Sequence, residues 1–179
     1  MLPSKAKQEV AGALFEQLGL LMRQQREVYQ DRFRKNMRRY KELKLLSSIP
    51  AFGMVRANQV AGIVVTPYRF RDKYHFFSYA MLVRHKQMSD GVQYGNKRAY
   101  GKGQLKAIFK SAAVSALRGN NAFRRRYDRM RQEGVADDAA RNAVSRSLAA
   151  TMLGVWKTGK KYNDHYQEVR QREGCRSQG

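Results

Sequence analysis

The chain has 179 residues, 42% hydrophobic and 28% charged, which is enough for one domain with a real core plus an extension and rules out a disordered chain. Its 36 Lys and Arg against 14 Asp and Glu leave a net charge of +22, a surplus that suits a polyanion, nucleic acid first and an anionic membrane surface second. The longest apolar stretch, Val60 to Val65, falls far short of the ~20 residues of a membrane span. The polar start from Met1 to Gln8 is not a signal peptide, and one Cys with three His gives no metal-ligand spacing.

Ser4 to Leu46 reads as one long helix without an internal proline, with apolar residues at Val10, Leu14, Leu18, Leu21, Val28, Phe33, Met37, Tyr40 and Leu43. Such a helix would be about 60 Å long. That is too long to bury its stripe on one small core, so it is expected to pair with another helix as a coiled coil or hairpin. A plain amphipathic helix folded back on the domain is the alternative. Its second half, with Arg32, Arg34, Lys35, Arg38, Arg39, Lys41 and Lys44, carries charge of one sign.

Next comes Leu45-Leu46-Ser47-Ser48-Ile49-Pro50-Ala51-Phe52-Gly53, a helix end and a Pro-x-x-Gly turn before an amphipathic helix. Pro50 stops one helix and Gly53 permits the hairpin. A helix-hairpin-helix element presents helix N-terminal N–H groups to a DNA phosphate; an ordinary corner between helices is the alternative. Arg69-Phe70-Arg71-Asp72-Lys73 starts a short helix running to Leu82, its aromatics expected in the core.

Ser89-Asp90-Gly91 follows, in a loop crowded with cations: Arg84, His85 and Lys86 before it, Lys97, Arg98 and Lys102 after it. A hydroxyl, a turn glycine and many cations suit the handling of a phosphodiester, although the same residues make ordinary turns. Tyr94-Gly95-Asn96-Lys97 is expected to form a small β-turn with brief strands beside it. From Gln104 the pattern is helical. Lys102, Lys106 and Lys110 form a cationic stripe at that helix's start. Asn120 or Asn121 is expected to cap the next, arginine-rich helix, and Asp137 or Asp138 the last, alanine-rich one. The fold class expected is mainly α: a long coiled-coil-like helix, then a helical bundle containing the helix-hairpin-helix, with room for a short β-hairpin near Ser89. The divisions are 1–44 for the connector helix, 45–165 for the domain and 166–179 for a polar tail.

The ordered set Ile49-Pro50-Ala51-Phe52-Gly53, Arg69-Phe70, Tyr79-Ala80-Met81-Leu82, Ser89-Asp90-Gly91 and Gly101-Lys102-Gly103-Gln104-Leu105-Lys106 resembles the C-terminal domain of insertion-sequence transposases related to the Piv DNA invertase. In that family the pattern runs "sIPGvG", "RF", "YaGL.p", "SG" and "G…LR". Here Ala51 and Met81 stand in place of glycines, Asp90 separates Ser89 from Gly91, and Lys102 and Lys106 stand where Asn and Arg are usual.

The resemblance implies that Ser89 is the DNA-attacking nucleophile. It implies DNA contacts by Pro50, Phe52, Gly53 and Arg56 at the hairpin and by Arg84, Lys86, Lys97, Arg98, Lys102 and Lys106 around the serine. It places Mg2+ in a separate RuvC-like half and no cofactor in this chain, whose acids are scattered. The expectation is therefore a fragment of a longer transposase or a truncated remnant in a prokaryotic cytoplasm, near the nucleoid. Its implied partners are DNA, a guide RNA in some branches and a second copy through the first helix; no membrane is implied. A non-catalytic nucleic-acid-binding module and a basic RNA-packaging protein are the rival readings.

Overall fold

The computed structural model describes residues 4–89, 92–98 and 100–165. Seven helices carry almost all the order: α1 (Ser4–Arg39), α2 (Lys41–Leu46), α3 (Met54–Val64), α4 (Lys73–Tyr79), α5 (Gly103–Ala116), α6 (Ala122–Gln132) and α7 (Asp137–Thr158). A 3-10 turn at Pro67–Arg69 precedes α4, and an antiparallel pair, β1 (Arg84–Ser89) and β2 (Val92–Arg98), lies between α4 and α5. The expected mainly helical fold with a β-hairpin near Ser89 is observed.

The domain is assembled around α7. Its alanines and branched residues let neighbours approach closely, and ten of its 22 residues are buried, among them Ala140, Val144, Leu148, Met152 and Trp156. Helices α2, α4, α5 and α6 all pack on it. The core they share contains Leu46, Phe52, Phe76, Leu105, Phe109 and Phe123, none with any exposed surface. Burying each such side chain contributes about 1.5–3 kcal/mol. Phe109 joins two parts of the chain, its ring centroid lying 5.6 Å from that of Phe52 and 5.8 Å, edge-on, from that of Phe76.

Four expectations are corrected. The first helix does not run unbroken to Leu46. Tyr40 is extended at φ −110° and ψ 118°, and the chain restarts as α2. The break turns Leu43 and Leu46 into the core. Burying two leucines is worth more than the ~1 kcal/mol of each helical hydrogen bond lost. Tyr94–Lys97 is not a turn but part of β2. The short helix at Lys73 stops at Tyr79, three residues before Leu82. Neither Asp137 nor Asp138 caps α7, whose N-cap is Ala136; both sit in its first turn, where they face the positive end of the helix dipole. Asn121, by contrast, does cap α6, its side chain accepting from the N–H groups of Phe123 and Arg124 at 3.0 and 3.1 Å.

Only the last turns of α1 touch the domain. Phe33, Asn36 and Met37 are half-buried there, and Asn36 donates to Asn58 of α3 at 3.0 Å. Before them the apolar stripe stands in solvent: Val10, Leu14, Leu18 and Leu21 are each more than half exposed, as are Phe15 and Met22.

At the other end, a strap after α7 closes the domain. Tyr162 stacks on Phe123 with centroids 5.8 Å apart, and its N–H donates to the Ser48 hydroxyl at 3.0 Å. Asp164 accepts from the Ala122 N–H at 2.9 Å and pairs with Arg125.

Candidate nucleic-acid interface

The β-hairpin is held at its base by one close approach. A Cβ on Gly101 would lie 2.1 Å from the Tyr79 carbonyl oxygen, so only glycine fits, and that oxygen also accepts from the Lys102 N–H at 2.8 Å. The end of α4 and the start of α5 are thereby pinned together. The turn out of α4 is equally fixed. Met81 N–H bonds to the Ser78 carbonyl and Leu82 N–H to the Phe77 carbonyl, and Met81 takes the left-handed φ of 54° that this helix ending requires.

From this base the strands pair Arg84 with Arg98, His85 with Lys97 and Lys86 with Asn96; the register then slips between Gln87 and Met88 before Ser89 meets Val92. The strands thus bring cationic positions onto neighbouring rungs and place Ser89 at the far end of β1. Asp90 and Gly91, and the side chains of Lys86, Ser89, Lys97 and Arg98, lie outside the described residues.

Arg84 begins β1 at the mouth of a cleft of about 170 Å³, lined by Met81, Leu82, Val83, Arg84, Lys106, Lys110 and Asn142. The residues come from three places: the segment from the turn after α4 to the start of β1, successive turns of α5, and the second turn of α7. Lys102 is the N-cap residue of α5, one turn before Lys106. Among the described residues no carboxylate lines the cleft. Lys106 and Lys110, four residues apart on one helix, repel by a few tenths of a kcal/mol. On α6 and α7, by contrast, Arg124 is matched by Asp128, Arg125 by Asp164, and Arg141 by Asp137.

The hairpin residues from Pro50 to Arg56 sit elsewhere. Ser115, which Arg56 reaches, is nine residues beyond Lys106, about 13 Å along α5. Ala51, not Gly53, takes the left-handed conformation of the turn, at φ 67°. Gly53 is an ordinary N-cap of α3 at φ −68°, with no side-chain cap and open space where a Cβ would stand. Phe52 is fully buried and Pro50 half-buried. Arg56 bonds to the Ala51 carbonyl at 2.7 Å and the Ser115 hydroxyl at 3.0 Å, and partial burial lowers its pKa. At this turn Phe52 is buried and Arg56 is half-buried and tied to Ala51 and Ser115, while Gly53 leaves backbone exposed at the start of α3.

Of the residues singled out in the sequence, Arg84 and Lys106 therefore line one cleft, with Lys102 beside it, and the hairpin set forms a second locus. Lys110, the third residue of the cationic stripe in the sequence, lines the cleft as well. Asn142 carries no signal of its own in the sequence: it is one polar residue in an alanine-rich helix, and only the packing of α7 on α5 brings it to the cleft.

Several acids are engaged in structural roles. Asp72 caps α4, and the His75 N–H and ring hold its pKa down to about 2. Asp137 is held below its ordinary value by the Tyr127 hydroxyl and by Arg141. Among the described residues no group of three His, Cys, Asp or Glu could hold a metal. No described helix is long and apolar enough to cross a membrane.

Comparison with curated proteins found no match. Residues 43–128 match the model of the transposase IS116/IS110/IS902 family, a span that runs from α2 through the turn before α3, the β-hairpin and α5 into α6. That segment holds every residue of the cleft except Asn142, and its likeness supports a transposase-related function for the chain.

Proposed function

We propose that this chain is the DNA-gripping, serine-bearing part of a transposase or site-specific recombinase. The observation that carries the reading is the cleft at the base of the β-hairpin, where Arg84, Lys106 and Lys110 share one lining with no acid among its described residues. Cations gathered without an acid, in a domain that matches Arg124, Arg125 and Arg141 with acids, are suited to an external anion. The same hairpin carries Ser89 at the end of β1.

In this reading Arg84, Lys86, Lys97, Arg98, Lys102 and Lys106 hold the strand, and the backbone at the start of α3 anchors a further phosphate. The Ser89 hydroxyl attacks phosphorus. One serine O–P bond forms as one sugar O–P bond breaks, and the serine proton ends on the departing sugar oxygen. Mg2+ would be held by a RuvC-like half, while Asp72, Asp137 and Asp164 of this chain serve structural roles. The exposed stripe of α1 pairs with a second copy, and the charge excess also suits a guide RNA.

Covalent capture tests this. The chain is incubated with a separately supplied RuvC-like half and DNA carrying the element's ends, and protein–DNA adducts are counted on a denaturing gel. Wild type is expected to trap DNA and Ser89→Ala to trap none. Equal trapping by both removes Ser89 from the chemistry and leaves a non-catalytic binding module.

A further inference from the structure

The geometry points to the Arg84, Lys106, Lys110 and Asn142 cleft as a seat for a single backbone phosphate that anchors the strand away from the reacting bond; we propose this as a deepening of the function above, on which it rests. Two observations carry it. The first is composition. Three cations and one amide, contributed by the start of β1 and by two different helices, line a volume of about 170 Å³ in which, among the described residues, no carboxylate takes part. Arg84 offers a forked set of donors, the lysines offer mobile point charges, and the Asn142 amide offers a neutral N–H. A tetrahedral dianion or diester accepts from all of them, whereas a base edge or an apolar group leaves the charges uncompensated.

The second is position. Arg84 opens β1 and Ser89 closes it. Five strand steps of about 3.4 Å separate them by roughly 17 Å. Phosphates of one duplex strand wind round the axis as they rise, so those about three nucleotides apart are separated by about 17 Å, and a strand lying along the hairpin puts the seated phosphate about three nucleotides from the one that Ser89 meets. The seat therefore fixes register and leaves the chemistry to the far end. Its walls are rigid, because Gly101 is locked onto the Tyr79 carbonyl and Lys106 and Lys110 sit within a regular helix.

The experiment uses the full chain and a fluorescent 25-base-pair duplex of arbitrary sequence, with affinity measured across a salt series. One phosphate seat predicts that the double variant Lys106→Gln/Lys110→Gln weakens binding by about tenfold and lowers the log–log salt slope by about 0.9, the value for one phosphate. A fall near two would mean that each lysine meets its own phosphate and would overturn the single seat. Asn142→Ala is expected to weaken binding severalfold with the slope unchanged, because it removes a donor but no charge. Unchanged affinity in both variants, with wild type still bound, overturns the seat and takes Lys106 out of the strand-holding set, and the serine chemistry is then judged by the covalent capture alone. If wild type shows no salt-dependent duplex binding, the proposed function falls instead. The seat is then read with inorganic phosphate by amide NMR, where shifts at Met81 to Arg84 and at the Asn142 side chain support it and their absence overturns it.

Discussion

The Arg56 guanidinium donates to the carbonyl oxygen of Ala51 at 2.7 Å, across the turn that joins α2 to α3. With its other branch it reaches the Ser115 hydroxyl at the end of α5, so one side chain ties the turn to a helix 59 residues away. Arg56→Ala is expected to destabilise the domain by about 2 kcal/mol, the loss of charge-assisted hydrogen bonds at a partly buried site, as measured by urea unfolding. Arg56→Lys should restore little of this, because a single ammonium cannot span both partners. In either variant the salt slope of DNA binding should stay that of wild type.

Ala51 and Met81 hold left-handed backbones, at φ 67° and 54°. The end of α6 makes the same pair of backbone hydrogen bonds as the end of α4, but with Gly134 at the left-handed position. Left-handed backbone costs an L-residue about 1–2 kcal/mol, and part of the gain from glycine is returned as unfolded-state entropy. Ala51→Gly and Met81→Gly should each stabilise by about 0.5–1 kcal/mol, visible as a higher Tm.

Gly101→Ala should do the opposite. Its Cβ would fall 2.1 Å from a backbone oxygen that cannot swing aside. A loss of about 3 kcal/mol is expected in thermal unfolding, with weaker DNA binding even under conditions where the variant stays folded, because the base of the β-hairpin must shift.

Acid should loosen the strap. Burial alone would raise the Asp164 pKa, but hydrogen bonds from Tyr162, the Ala122 N–H and Arg125 together hold it below the ordinary value. A folded-state pKa below the unfolded one means the stabilisation is complete above the unfolded value, about 4, and is lost as pH falls through the folded one. The Tm gap between wild type and Asp164→Asn should therefore be widest at neutral pH and close below pH 4.

The exposed stripe of α1 gives a test of assembly. Leu14→Glu/Leu18→Glu places charge on its centre and should convert a self-associated species to monomer in light scattering, leaving the Tm of the domain unchanged. No shift in mass would assign that stripe to another partner.

Much of this architecture was legible because period and punctuation agreed. Helical spacing marked α5, the small-residue pattern marked α7, and the pair Asn120 and Asn121 marked the start of α6. The break at Tyr40 was not legible: no Pro or Gly stands there, and the cause is the pull of Leu43 and Leu46 into a core built from distant residues. Gly53 was the expected hinge of its turn, yet the strained position is Ala51, since a glycine pattern does not say which residue bears the unusual φ. For the candidate site, the stripe from Lys102 to Lys110 was readable as spacing on one helix, while Asn142 became visible only through the contact of α7 with α5.

The family likeness stops at residue 128, but the molecule does not. Helix α7 begins at Asp137 and lies at the centre of the packing, and Tyr162 and Asp164 reach back to Ser48 and Ala122. A protein expressed to the boundary of the recognised segment would expose the apolar faces of α2, α4, α5 and α6 that α7 covers, and should aggregate. A unit carried through Asp164 keeps those contacts, which makes the closing clasp, rather than the motif-bearing stretch, the guide to where this gene can be cut.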